Sequence, residues 1–362
     1  MSGQNIFSKL FSNTLKLFLS VDENKSRTID PPQKVLVVRQ HNQFGDLLAS
    51  VSLFRAIKET YPETELTVIV SPENYYAISK NDFIDRYFVF DKKKVFNPEY
   101  YQEFRNLLKE GYDLAIVPAT VSISFTSCLI SRFAKSKTRI GPNSLNGKPN
   151  KAAFMFDRRV DLNWNKFPDC HVSDFILEVV RPFSIAAKVY TSNVKVEEAD
   201  LDEAKKFIKT LSGIDDEKLI GFHIGAGKPY NKWSMTKFAE TIEKLNEKYK
   251  CRFYITGSKS DHEEIKYAKE NIPHIGGFYL DKSIPELAAV ISLSDLFITN
   301  DTGVMHVAGA TETPQISIFG PTNPFNWAPV GKNKFFLKKQ ENIESIQVDD
   351  VLYLAQKILE KE

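Results

Sequence analysis

The chain has 362 residues, 42% of them hydrophobic and 26% charged, the balance of an ordinary globular protein with length for two domains. Its 48 basic and 46 acidic residues leave a net charge of +2, which excludes a protein that coats nucleic acid through its overall charge. Cys128, Cys170 and Cys251 are far apart with no C-x-x-C pair, against a disulfide framework and a zinc knuckle, and no apolar run approaches the roughly 18 residues of a membrane-spanning helix.

In the first twenty residues Ile6, Phe7, Leu10, Phe11, Leu15 and Phe18 recur at helical spacing, with Lys9 and Lys16 as the only charges. Ser12, Asn13 and Lys16 interrupt the stretch and no small-residue cleavage site follows, so it fails as a signal peptide. Two readings stay open: a helix docked on its own core, or an interfacial helix lying on a membrane. Residues 21–33 are polar, end in Pro31-Pro32 and read as a linker.

A first domain, 34–190, opens with Val35–Val38, the continuous apolar run of a parallel strand covered on both faces. A glycine turn and a helical pattern follow (Leu47, Leu48, Val51, Leu53, Phe54, Ile57), Tyr61-Pro62 stops the helix, and Leu66–Val70 is the next strand. Runs at 87–90 and 114–117 flank a helical stretch at 100–108. Arg132, Lys135, Lys137, Arg139, Lys148, Lys151, Arg158 and Arg159 are opposed in their stretch only by Asp157. Such an excess marks either an anionic partner or a solvated loop around 141–149.

The charge-rich 191–218 leads into a second domain, 191–345, with strands at 219–224, 253–256, 296–299 and 315–319 and helices at 238–249, 284–293 and 304–310. A last helix falls in 346–362. Strands alternating with helices predict an α/β protein of two Rossmann-like, doubly wound parallel-sheet domains facing across a cleft that holds a ligand.

Gly225-Ala226-Gly227 lacks the third glycine of a dinucleotide fingerprint, with Tyr230 in its place, and Gly227-Lys228-Pro229 is no P-loop. There is no G-x-S-x-G or H-E-x-x-H, and the six histidines are scattered, so no metal centre is expected. Asp200-Leu201-Asp202 opens a helix, where acids favour the positive end, and is read as structural.

Asn300-Asp301-Thr302-Gly303 lies between a buried strand and a helix, where unpaired amides and a partial positive charge suit a phosphate. The same turn can serve only as a helix cap. His223-Ile224-Gly225-Ala226-Gly227 also follows a strand, so both loops leave the same carboxyl edge. Together they would form a diphosphate cradle with Lys232 as counter-charge, unless Lys232 is only a solvated surface lysine; Trp233 is read as a core anchor.

Four stretches carry a family resemblance: Val37-Val38-Arg39 with Phe44-Gly45-Asp46-Leu47-Leu48; His223-x-Gly225-Ala226 with Lys232-Trp233; Asn300 to Ala308; and Phe319 to Pro324 with Trp327-Ala328-Pro329. In order and spacing the sequence resembles glycosyltransferase family 9, the ADP-heptose–lipopolysaccharide heptosyltransferases of GT-B fold. The resemblance implies that the C-terminal domain binds the nucleotide sugar and the N-terminal domain the acceptor, with Asp46 as general base and inversion at the anomeric carbon. It puts Gly225, Ala226, Lys232, Asp301, Thr302, Gly303 and His306 at the donor, Glu263 or Glu264 near the ribose hydroxyls, and Ser283 near the adenine. Arg39 and Gly45 on the first loop, with Arg132 and Arg139 from the basic stretch, are the expected acceptor contacts. Ser234 and Asn323 stand where the family commonly has proline and aspartate, and residues 1–33 have no counterpart.

The expected partners are a nucleotide sugar, ADP-linked, and an anionic glycolipid acceptor, with peripheral contact to the inner face of the cytoplasmic membrane, no metal and no nucleic acid. The alternatives are a different nucleotide sugar or acceptor, or a catalytically silent nucleotide-binding scaffold. A nucleotide-dependent oxidoreductase is disfavoured by the missing fingerprint.

Overall fold

The computed structural model describes residues 16–40, 44–191, 194–211 and 217–360. Contacts divide the chain between Tyr190 and Thr191 into two compact units. Of the amphipathic stretch expected at 6–18, residues 6–15 lie outside the described residues. Residues 16–19 are helical. Leu19 packs on the core of the first unit, whereas Leu17 and Phe18 are 79% and 73% exposed.

The first unit runs β1 (Lys34–Val38), α1 (Phe44–Ala49), α2 (Val51–Thr60), β2 (Glu65–Val70), β3 (Arg86–Val89), α3 (Pro98–Lys109), β4 (Tyr112–Ile116), α4 (Phe125–Phe133), β5 (Ser136–Leu145), β6 (Lys148–Pro149), β7 (Arg158–Leu162) and α5 (Val172–Phe175). The sheet order is β3-β2-β1-β4-β5-β6, with β7 also paired to β5; every pairing is parallel except β5 with β6. Val35 to Val38 are fully buried in the central strand, which is why that run carries no polar alternation. From β1 the chain winds out to β3 and returns on the far side of β1 as β4. Loops leaving β1 and β4 therefore diverge at the carboxyl edge and open a crevice.

The stretch 141–149, one of whose readings is a solvated loop, holds the second half of the ten-residue β5 and all of β6. Its reason is packing: Ile140 and Leu145 are buried, and a Cβ on Gly141 would meet the Phe156 ring at 2.4 Å. The basic residues here acquire partners that lie elsewhere in the chain. Arg132 Nε donates to the Leu19 carbonyl at 2.8 Å, Arg159 to the Val21 carbonyl at 3.0 Å, and Lys137 pairs with Asp113 at 2.7 Å. Arg139 donates to the carbonyls of Ser131 and Ala134. Lys135, Lys148 and Lys151 stay exposed.

The second unit runs α6 (Glu198–Thr210), β8 (Lys218–His223), α7 (Met235–Lys248), β9 (Cys251–Gly257), α8 (His262–Asn271), β10 (Ile275–Leu280), α9 (Ile284–Ser292), β11 (Leu296–Asn300), α10 (Gly303–Gly309), β12 (Gln315–Ile318), α11 (Pro324–Trp327), β13 (Lys334–Leu337) and α12 (Val348–Leu359). Its sheet, in the order β10-β9-β8-β11-β12-β13, is parallel throughout. Val351 and Ala355 bring α12 into the core formed by Phe222, Phe238 and Phe253. Trp233 is buried in that core and donates to the Ile346 carbonyl at 3.0 Å. Asp200 belongs to a capping box at the start of α6, its carboxylate accepting from the Glu197 amide at 2.9 Å.

Neither structural unit needs a staple: no disulfide is present among the described residues. Burial pushes the thiols of Cys128, Cys170 and Cys251 each up to about 12.

Candidate active site

In the second unit the chain reverses between β8 and β11, and the loops after these two strands form the crevice. A buried side chain joins them. Asn300, fully buried at the end of β11, donates through Nδ2 to the carbonyls of Ile224 at 2.9 Å and Gly225 at 3.3 Å. Its Oδ1 accepts from the Trp233 amide at 3.1 Å. Its amide offers a donor and an acceptor at once, so it satisfies three backbone groups that a buried loop would otherwise leave unpaired. Gly225 has to be glycine, because a Cβ there would stand 2.1 Å from Asp261 Oδ1.

Around this staple lie the charged groups. Lys232, about one-third exposed, pairs with the buried carboxylate of Glu264. Asp301 accepts from Asn231 Nδ2 at 2.9 Å; burial holds its carboxyl above the ordinary value, opposed by a hydrogen bond to Thr322 and by the charge of Lys228. His223 Nδ1 lies 3.1 Å from the Thr256 carbonyl, which can only accept, so Nδ1 carries the proton. Burial pushes His223 down from 6.5 and keeps it neutral, against the pull of Asp261 and Glu264. Thr302 begins α10 without making a side-chain capping bond, so its hydroxyl is not spent on the helix. His306, one turn on, lies edge-on to Trp327 with centroids 6.4 Å apart.

The first unit carries its own cluster at the β1/β4 switch. Arg39 follows β1, Thr120 follows β4, and Asp46 sits in the first turn of α1. Thr120 Oγ1 donates to Asp46 Oδ1 at 2.9 Å and accepts from Arg39 at 3.2 Å. Arg39 also approaches Asp46 Oδ1 at 3.5 Å and donates to Ser50 at 3.1 Å. All of these groups are buried, and burial lowers the Arg39 guanidinium while Asp46 opposes that shift. Trp164 donates to the Thr120 carbonyl at 2.9 Å and stacks on Phe175, fixing the turn from behind.

The structure thus brings Gly225, Ala226, Lys232, Asp301, Thr302, Gly303 and His306 to one sheet edge, and Arg39, Gly45 and Asp46 to another. Of the two glutamates, Glu264 faces Lys232, and Glu263 is exposed on the first turn of α8. Ser283 is the N-cap of α9, in a reciprocal box with Glu286. The Arg39 guanidinium, expected at the acceptor, is buried on Asp46, Ser50 and Thr120. Arg132 and Arg139, also expected at the acceptor, donate to the backbone carbonyls of Leu19 and of Ser131 and Ala134. α4 runs from the carboxyl edge back to the amino edge, so the carbonyls near its end that bind Arg139 lie opposite Asp46. Thr120, Asn231 and Thr322 escaped sequence reading. Only the rule that switch-point strand ends converge pointed toward Thr120.

Among solved structures, a family 9 glycosyltransferase from Veillonella parvula matches with a TM-score of 0.77 at 16% identity, covering 94% of this chain and 99% of that one. Escherichia coli ADP-heptose LPS heptosyltransferase II matches with a TM-score of 0.73 at 20% identity, over 90% and 98%. The fold is the GT-B fold of these glycosyltransferases. Lipooligosaccharide heptosyltransferase 2 of Haemophilus ducreyi is 25% identical over 334 residues, 84% of this chain and 88% of that protein. The model of Glycosyltransferase family 9 (heptosyltransferase) matches residues 101–351, and the chain belongs to that family: it is a glycosyltransferase enzyme.

Proposed function

We propose that the protein moves a heptose from an ADP-heptose-like donor to an anionic lipopolysaccharide-core acceptor, with inversion at the anomeric carbon and without a metal. The observation that carries this reading is the Asn300 staple, which fixes the two loops of the second unit with Lys232 beside them. In the reaction Asp46 takes the proton of the acceptor hydroxyl as its oxygen bonds to the anomeric carbon. The bond from that carbon to the diphosphate breaks, and its electron pair leaves with the nucleotide. Lys232, the Thr302 hydroxyl and the amides that open α10 receive the growing charge. Glu264 aims Lys232, and Asp301, occupied by Asn231, fixes the loop.

Exposed Leu17 and Phe18 support the interfacial reading of the N-terminal stretch, and we place the enzyme at the inner face of the cytoplasmic membrane, where its acceptor is held. No helix among the described residues is long and apolar enough to cross a membrane.

Calorimetric titration with ADP, UDP and GDP, with and without magnesium, tests the donor half. ADP binds tightest and indifferently to magnesium, and Lys232→Met weakens it about a hundredfold through loss of a partly desolvated charge-assisted contact. Asp46→Asn keeps ADP affinity and lowers transfer by about a thousandfold or more. Preference for UDP or GDP removes heptose from the claim, and an active Asp46→Asn removes the base.

A further inference from the structure

Beyond the catalytic loops, the turn after β3 sends four exposed side chains, Lys92, Lys93, Lys94 and Phe96, away from the core and from the clusters described above. It reads Asp91-Lys92-Lys93-Lys94-Val95-Phe96-Asn97. Its three lysines are exposed, and Phe96 is 94% exposed, more than any other large apolar side chain among the described residues.

The turn is held rigid from both shoulders. Asp91 Oδ1 accepts from the Lys93 amide at 2.9 Å, and the Asp91 carbonyl accepts from the Lys94 amide at 3.0 Å. Asn97 caps α3 by accepting from the Tyr100 amide at 3.0 Å, with Pro98 next. The Tyr100 hydroxyl accepts from the Asp91 amide at 2.6 Å and donates to the Val89 carbonyl at 2.9 Å. Val95 packs inward on the core. Such bracing fixes the backbone from which the Phe96 ring projects into solvent.

We propose that this turn seats the first unit on an anionic lipid bilayer. Phe96 enters the interfacial layer while Lys92, Lys93 and Lys94 meet acidic headgroups, the pairing of apolar insertion and cationic attraction that makes peripheral binding stable. Three adjacent cations around one ring fit a headgroup layer, whereas a protein partner would ask for a broader apolar patch. Because β1 and β3 are parallel, the turn emerges from the same sheet edge as the Asp46 loop, the edge where a membrane-held acceptor must arrive. The inference rests on the reading of the acceptor as a glycolipid.

Co-sedimentation of the full chain with vesicles tests it, using phosphatidylcholine alone or with an equal part of phosphatidylglycerol. The wild type sediments with the anionic vesicles and far less with neutral ones. Replacing all three lysines by serine weakens binding by about a hundredfold, and Phe96→Ser by about tenfold. Both variants keep the wild-type circular dichroism and their transfer to a water-soluble acceptor fragment, which separates lipid seating from chemistry. Wild-type binding by these variants, or loss confined to Leu17→Ser/Phe18→Ser, overturns the proposal while leaving a peripheral enzyme. Absence of transfer by the wild type to any acceptor overturns the functional reading instead.

Discussion

Thr120 ties the proposed base to its neighbours through a neutral hydroxyl. It touches both Asp46 and Arg39, two buried groups of opposite charge whose separation would leave one uncompensated, at a cost of about 3–5 kcal/mol. Arg39→Ala would therefore confound folding with function, and Thr120 is the gentler probe. Thr120→Val lowers kcat about tenfold with little change in KM for the nucleotide sugar, and Thr120→Ser restores it; steady-state kinetics on both substrates check this. The loops around Gly225 and Asp301 were legible in the sequence because glycine turns and an N–D–T–G run sit next to apolar strands. Thr120 was not, since 74 residues separate it from Asp46 and nothing local distinguishes it. The partners of Arg39 and Arg132 were not legible for a related reason: position along a chain says nothing about the carbonyls and carboxylates a fold brings beside them.

α10 illustrates the same economy among elements. Its first turn offers amides to the proposed diphosphate, and its far end is tied down by Lys334, whose Nζ donates to the Ala308 carbonyl at 2.8 Å and the Thr313 carbonyl at 2.6 Å. A cation at a helix C-terminus complements the helix dipole. Burial nevertheless pushes Lys334 from 10.5 down to about 8, with Glu312 opposing the shift. Between those two values the unfolded chain holds a proton that the folded chain has released, so the contribution of Lys334 to stability rises with pH across the window. Denaturation midpoints measured from pH 7 to 10 should carry this positive slope, and Lys334→Met should flatten it. The helix itself was foreseen to within a residue, but β5, β10 and β13 were not, because strands of mixed polarity lack the continuous apolar run that announced β1, β8 and β11.

For the molecule as a whole, the division at Tyr190 and Thr191 gives ligand linkage a location. A nucleotide that binds only the second unit stabilises that unit by about 2.7 kcal/mol at a hundred times its dissociation constant. Scanning calorimetry with saturating ADP should move up the transition belonging to Thr191–Glu362 and leave the other in place, whereas a uniform shift would show that the two units unfold together. The two-domain α/β architecture was readable from strand–helix alternation alone, since each doubly wound sheet writes its own sequence of apolar runs. The pairing of each basic side chain was not, because it depends on which strand edge a helix returns to.

The quiet thiols have a practical consequence. With Cys128, Cys170 and Cys251 each held near 12, almost none is thiolate at neutral pH, and thiolate is the form that reacts. A cysteine introduced on an exposed surface of each unit would thus take a maleimide dye in an otherwise native background. Fluorescence energy transfer between two such dyes would then follow the spacing of the units through a catalytic cycle, one molecule at a time.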